Sequence, residues 1–165
     1  MKQLSAAALT GLAVDIEAEL DQLQHLAADI RYVRDQVESD PTHARLFYEN
    51  LALKLHNFYT GCERIFNLVA AELNGAPVAG YDWHQRLLER MAVDWDGRPP
   101  VLSTASVREL QPFRAFRHVV RNIYGYELDT QRVEQLVQDY ARVWPQVEAD
   151  MRRFAAWLRS LAQQL

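Results

Sequence analysis

From Val133 to Leu161 an apolar residue returns every three or four positions: Val133, Leu136, Tyr140, Trp144, Val147, Met151, Phe154, Leu158 and Leu161. This is the period of a helix with one apolar face. The same spacing runs through Leu9, Leu12, Ile16, Leu20, Leu23, Ala27, Ile30 and Val37. It returns in Leu46, Leu51, Leu55, Phe58, Ile65, Leu68 and Val69. No strand-like alternation of useful length competes with it, and there are no internal repeats. Amphipathic helices of this length must bury their stripes against each other. The expected fold is all-α: an antiparallel bundle of four long helices plus a short one, in a single domain spanning residues 1–165.

Breakers divide the helices. Ser39-Asp40-Pro41 ends the first, because proline disfavours a helical residue before it. Pro41 suits the first turn of a second helix that runs to about Leu73, where Asn74-Gly75 stops it. A loop over 75–82 leads to a short helix, Trp83 to Val93. The proline pair in WDGRPPV makes Trp95 to Val101 another loop. Ser103 or Thr104 can cap the next helix. Pro112 is expected to break or kink it, so that a separate helix starts near Gln111 and ends at Gly125. Asp129 or Thr130 caps the last helix, which Pro145 should bend.

Composition narrows the function classes. With 49% hydrophobic residues in 165, the chain can form a real core. A single cysteine, Cys62, rules out an internal disulfide and a multi-cysteine zinc site. It fits a reducing compartment and is expected to be a small buried residue. The five histidines show no metal-ligand spacing. There is no glycine-rich phosphate loop, no apolar run long enough for a membrane span, and no signal peptide, since Asp15, Glu17 and Glu19 interrupt the N-terminal apolar stretch. The expected location is cytoplasmic, with no cofactor, no metal and no membrane partner. A net charge of −4 opposes broad coating of duplex DNA.

Against that acidic background, Leu110 to Tyr126 contains no Asp or Glu. Arg114, Arg117, His118 and Arg121 fall at i, i+3, i+4, i+7 and share one helix face. Phe113, Phe116, Val120 and Ile123 form the opposite, apolar stripe. Guanidinium forks match phosphate oxygens in charge and shape, so a phosphate-bearing ligand is the first reading. A solvated basic face is the alternative. It is disfavoured because no acid within the helix can pair with the arginines. Tyr124 and Tyr126 add stacking and hydroxyl groups at the helix end. Upstream, Glu63 is a candidate partner for one arginine. Gly61, in a helix interior, marks a helix crossing rather than a ligand contact. Trp83-His84 reads first as an aromatic packing anchor.

These segments resemble a known family. FRHVVRNIYGYELD, with HNFYTGCERIF before it and YDWHQRLLERMA between, is similar to HepT-like toxins of the HEPN superfamily. The resemblance extends from the second helix to the last. It implies a compact helical homodimer with a HEPN-like fold. The implied function is that of a metal-independent endoribonuclease in a bacterial toxin–antitoxin pair of type II or type VII. The substrate would be RNA, tRNA or mRNA, and the partner an MntA-type minimal nucleotidyltransferase antitoxin. The family's catalytic signature is an Arg, four residues, a His, one residue and a Tyr. Here Arg117 and Tyr124 match, and Asn122 occupies the His position.

By the same resemblance, Arg117 neutralises charge on the scissile phosphate, Asn122 orients the phosphate or the 2′-OH, and Tyr124 contacts substrate. Arg114, His118 and Arg121 supply accessory charge. Tyr124 is also the site where such antitoxins attach AMP. Asn cannot exchange a proton near neutral pH. Three readings stay open: an inactivated variant, a natural member that only binds RNA, or a subfamily in which His118 serves as base. The rival from another class is a non-catalytic RNA- or protein-binding module that pairs with the antitoxin.

Overall fold

The computed structural model describes residues 4–75, 80–95, 97–122 and 128–165, without the side chains of His118, Arg121 and Asn122. Five α-helices follow one another: α1 (Ala6–Ser39), α2 (Ala44–Glu72), α3 (Trp83–Arg90), α4 (Thr104–Asn122) and α5 (Thr130–Ala162). Four are long and α3 is short, as the periodicity requires. A 3₁₀ turn, Pro41–His43, precedes α2. No helix among the described residues is long and apolar enough to cross a membrane.

The termini follow local chemistry. The Ser5 side chain accepts a hydrogen bond from Ala8 N–H and opens α1. Of the two candidates before α4, Ser103 does the capping: its Oγ accepts from Ser106 N–H at 3.1 Å. Before α5 the cap is Asp129, which accepts from Gln131 and Arg132 N–H.

Two expectations fail. α4 does not begin near Gln111; it runs unbroken from Thr104 with Pro112 inside it. Proline removes one intrahelical hydrogen bond, but Val107, Leu110, Phe113 and Phe116 are buried on both sides of it. Their packing holds the helix through the defect. α5 also contains a proline, Pro145, and is one continuous helix, in keeping with the single last helix expected. The second failure is Leu46, which is exposed rather than in the core; the α2 stripe enters the core only from Leu51.

α1 packs along both α2 and α5, while α4 lies on α2 and α5. The apolar stripes meet in one core. Phe58 on α2 is its hub. Its ring meets Phe113 of α4, Tyr140 and Trp144 of α5 edge-to-face, with centroids 5.3, 4.9 and 5.8 Å apart. Edge-to-face pairs add stabilisation beyond area burial. Gly61 lies against α1: a Cβ there would stand 2.6 Å from Leu23 Cδ2. The glycine does serve a helix crossing.

α3 is too short to stand alone and is held by the loop after it. Val101 and Leu102 N–H both donate to Met91 C=O. Arg98 is fully buried. Its guanidinium donates to the carbonyls of Pro99, Arg90 and Val93 and to Asn74 Oδ1. Arg98 thus ties the end of α2 to the end of α3, and so anchors the element that carries His84.

Candidate functional site

α2, α3 and α4 converge on three charged or titratable side chains. Glu63 lies on the core face of α2, one turn from the buried Tyr59 and Phe66. An acid in that stripe must find partners, because an unpaired buried carboxylate is too costly. α4 supplies the first. Phe113 and Phe116 are buried and fix the rotation of α4, which turns Arg117 toward α2. Arg117 Nη2 reaches Glu63 Oε1 at 3.2 Å. α3 supplies the second: His84 Nδ1 is 2.6 Å from Glu63 Oε2. The third side closes between the two partners, with Arg117 Nη1 at 3.2 Å from His84 Nδ1 and 3.1 Å from Nε2.

The cluster is largely enclosed. Side-chain exposure is 6% for Glu63, 11% for Arg117 and 12% for His84. The Trp83 ring lies on His84, with centroids 3.5 Å apart and planes 31° apart. It limits how the imidazole can turn.

The hydrogen-bond roles follow from chemistry. A 2.6 Å contact between a carboxylate oxygen and a ring nitrogen needs a proton between them, so His84 Nδ1–H donates to Glu63. Arginine only donates. Arg117 Nη1 lies almost equally far from the two ring nitrogens, so the guanidinium rests against the imidazole rather than on one nitrogen. The carboxylate contact fixes the orientation of the imidazole.

One donor is left over. Arg117 Nε is buried and finds no acceptor among the described residues. An unsatisfied buried N–H costs roughly 1–3 kcal/mol, and a phosphate oxygen would satisfy it. The Tyr59 hydroxyl is also buried without a partner among the described residues. Burial, and then the Glu63 carboxylate, push its phenol well above the ordinary value, with Arg114 and Arg117 acting the other way. Cys62 is fully buried, and burial pushes its thiol up, so it is a packing residue rather than a nucleophile.

The predicted site residues are distributed as follows. Arg117 is in the cluster. Arg114 lies one turn before it, partly buried, and donates from Nε to Gln111 Oε1 at 2.8 Å. His118, Arg121 and Asn122 lie in the last turns of α4, with side chains outside the described residues. Tyr124 also lies outside them, as do Ile123 and Gly125.

Glu63 is the partner its charge suggested. In the sequence Trp83-His84 reads as an aromatic anchor. That holds for Trp83, which packs on the core, but it misses His84, which bonds to both charged groups. No periodicity links residues 63, 84 and 117 across three helices. The one available signal was the acid on the apolar face of α2.

No curated protein and no solved structure matches the chain. The family model described as HepT-like protein matches residues 50–158, the span that includes α3, α4, most of α2 and α5, and all three residues of the cluster. The chain belongs to the HepT-like family.

Proposed function

We propose that the protein is a metal-independent endoribonuclease of the toxin type, with Arg117 as its phosphate-binding group. The observation that carries this reading is the placement of Arg117. A guanidinium is held by Glu63 and His84 while its Nε–H is left without an acceptor among the described residues. Such a preorganised donor suits charge that develops on a phosphate during cleavage. Family membership supports the substrate class, since the resembled toxins cut RNA by attack of a ribose 2′-OH on the adjacent phosphate.

In this reading Arg114, His118 and Arg121 extend the cationic surface along α4, and Asn122 and Tyr124 contact the RNA. Two protomers bring their basic helices together, and an RNA strand relieves the resulting repulsion. An MntA-type nucleotidyltransferase is the proposed antitoxin. AMP on Tyr124 would add about one negative charge beside the arginines and occupy the phosphate surface.

One observation favours a second reading, a non-catalytic RNA- or protein-binding module. Asn122 stands where the family signature has His, and Asn has no titrating proton. One experiment separates the two. Purified protein is incubated with total RNA in EDTA, as native chain and as Arg117→Ala. Cleavage by the native chain that falls by roughly 100-fold or more in the variant supports the ribonuclease. RNA that is bound but left intact supports the module. Intact-mass measurement after incubation with the antitoxin, ATP and magnesium tests Tyr124: a gain of whole AMP units must vanish in Tyr124→Phe.

A further inference from the structure

We infer that the groove between α1 and α5 is a binding site for a small aromatic acid, its ring against Tyr140 and Trp144 and its carboxylate on Arg31 and Arg34. The site shares no residue with the Glu63 cluster and stands apart from the RNA cleavage proposed above.

The groove exists because the lacing of the two helices stops part-way. Toward the start of α1 the cross-links are regular. Arg159 bonds to both carboxylate oxygens of Glu17. Arg152 reaches Asp21 at 3.4 Å, and Trp144 Nε1 donates to Gln24 Oε1 at 3.2 Å. Past Gln24 no ion pair joins α1 to α5 among the described residues. α5 presents Val137, Tyr140 and Ala141 there, and a hollow of about 230 Å³ opens beside Ile30, Arg31 and Arg34 of α1.

The size and chemistry of this hollow select the ligand. An apolar cavity of roughly 150 Å³ holds a benzene ring, so the space takes a phenyl group with a short acidic arm. The rim is cationic. Arg31 makes no ion pair or hydrogen bond among the described residues. Arg34 pairs with its sequence neighbour Asp35 at the exposed surface, a contact of little strength in water. The acid that borders the hollow, Glu148, is held by Arg152 at 2.8 Å. Guanidinium forks match a carboxylate in charge and shape. Tyr140 adds a second observation: its hydroxyl is buried without a partner among the described residues. Burial pushes that phenol up, so it stays a neutral donor, and a carboxylate oxygen would give it an acceptor. An adjoining hollow shares Arg34 and Val137 but carries Glu38 and Glu134. Their charge confines the acidic arm to the side of Arg31.

The test uses phenylacetate as the probe and follows the Trp144 indole N–H in proton–nitrogen NMR spectra. Phenylacetamide keeps the ring without the charge, and acetate keeps the charge without the ring. Phenylacetate should move the Trp144 signal saturably, and each control should bind about tenfold more weakly or worse. Two variants lie at exposed positions of the groove. Arg31→Gln should weaken phenylacetate by about tenfold and remove its advantage over the amide. Ala141→Phe, which fills the hollow, should abolish the shift. No saturation by phenylacetate below about 10 mM overturns the site. Equal binding of acid and amide overturns the ligand class, and a shift that survives Ala141→Phe places the probe elsewhere and overturns the assignment. A Trp144 signal that moves on dilution of the protein alone, and is insensitive to phenylacetate, would give the groove to a second copy of the chain. None of these outcomes depends on whether the chain cuts RNA.

Discussion

Glu63 shows how much one residue can organise. Its two carboxylate oxygens each hold one partner, Arg117 and His84, from two other helices. Taking a carboxylate and a guanidinium out of water is costly, and their attraction offsets that only if both stay paired. Removing one member should therefore cost more than removing both. We predict that Glu63→Leu destabilises the fold by about 3 kcal/mol in urea denaturation, since it leaves Arg117 enclosed and unpaired. Glu63→Leu with Arg117→Met should recover at least about 1 kcal/mol of that loss. Equal stability of single and double variants would mean that the pair is not coupled. The sequence hinted at this residue by setting an acid on an apolar face. It held no comparable hint for His84, whose partners are distant in the chain.

At the scale of elements, a second buried acid joins α4 to α5. Asp150 of α5 is 1% exposed. It accepts from Ser103 N–H at 2.8 Å, from the Ser106 hydroxyl at 2.6 Å and from Arg153 at 2.8 Å. Its carboxylate thus sits at the first turn of α4, where the helix dipole favours negative charge. Burial raises the Asp150 pKa, but the hydrogen bonds from Ser106, Ser103 and Arg153 outweigh it and hold the carboxyl below its ordinary value. The sign follows. With the folded pKa below the unfolded one, the contribution is complete above the unfolded value of about 4. It is lost as pH falls through the lower, folded value. Asp150→Asn should cost roughly 1–3 kcal/mol at neutral pH and flatten the decline of Tm below about pH 4. Thermal melts across pH 2 to 7 check this; an acid decline identical in both proteins would show that Asp150 does not control it. The continuity of α4 belongs to the same scale. Local rules put a break at Pro112, and packing on both sides of it prevailed.

For the whole molecule, the proposed unit is a two-fold dimer. α1 and α2 present apolar side chains to solvent, among them Tyr32, Leu46 and Leu53. A symmetric pair should bury about 1,200 Å² or more in total. Light scattering at micromolar concentration should report twice the chain mass, and a monomer there would refute the dimer. The site bears on this expectation, since bringing two basic α4 helices together favours an anionic ligand between them.

Sequence alone determined the helices, their order and most of the core. Leu9 to Ile30, Leu51 to Val69 and Val133 to Leu158 carry a period that only one kind of element satisfies. Local side-chain chemistry narrowed the caps to Ser103 or Thr104 and to Asp129 or Thr130, of which the structure uses Ser103 and Asp129. It also singled out Arg117 by residue type and by resemblance. Only the tertiary structure decided that Arg117 is not one of a free row of cations but one corner of a buried triangle. The reason is physical. Periodicity reports which face of a helix is apolar, whereas the contacts among residues 63, 84 and 117 depend on how three helices are rotated and docked. Those rotations are set by how Phe58, Phe113 and Phe116 pack against one another and by the Arg98 clamp; the spacing marks the three rings as apolar but not which neighbours they meet.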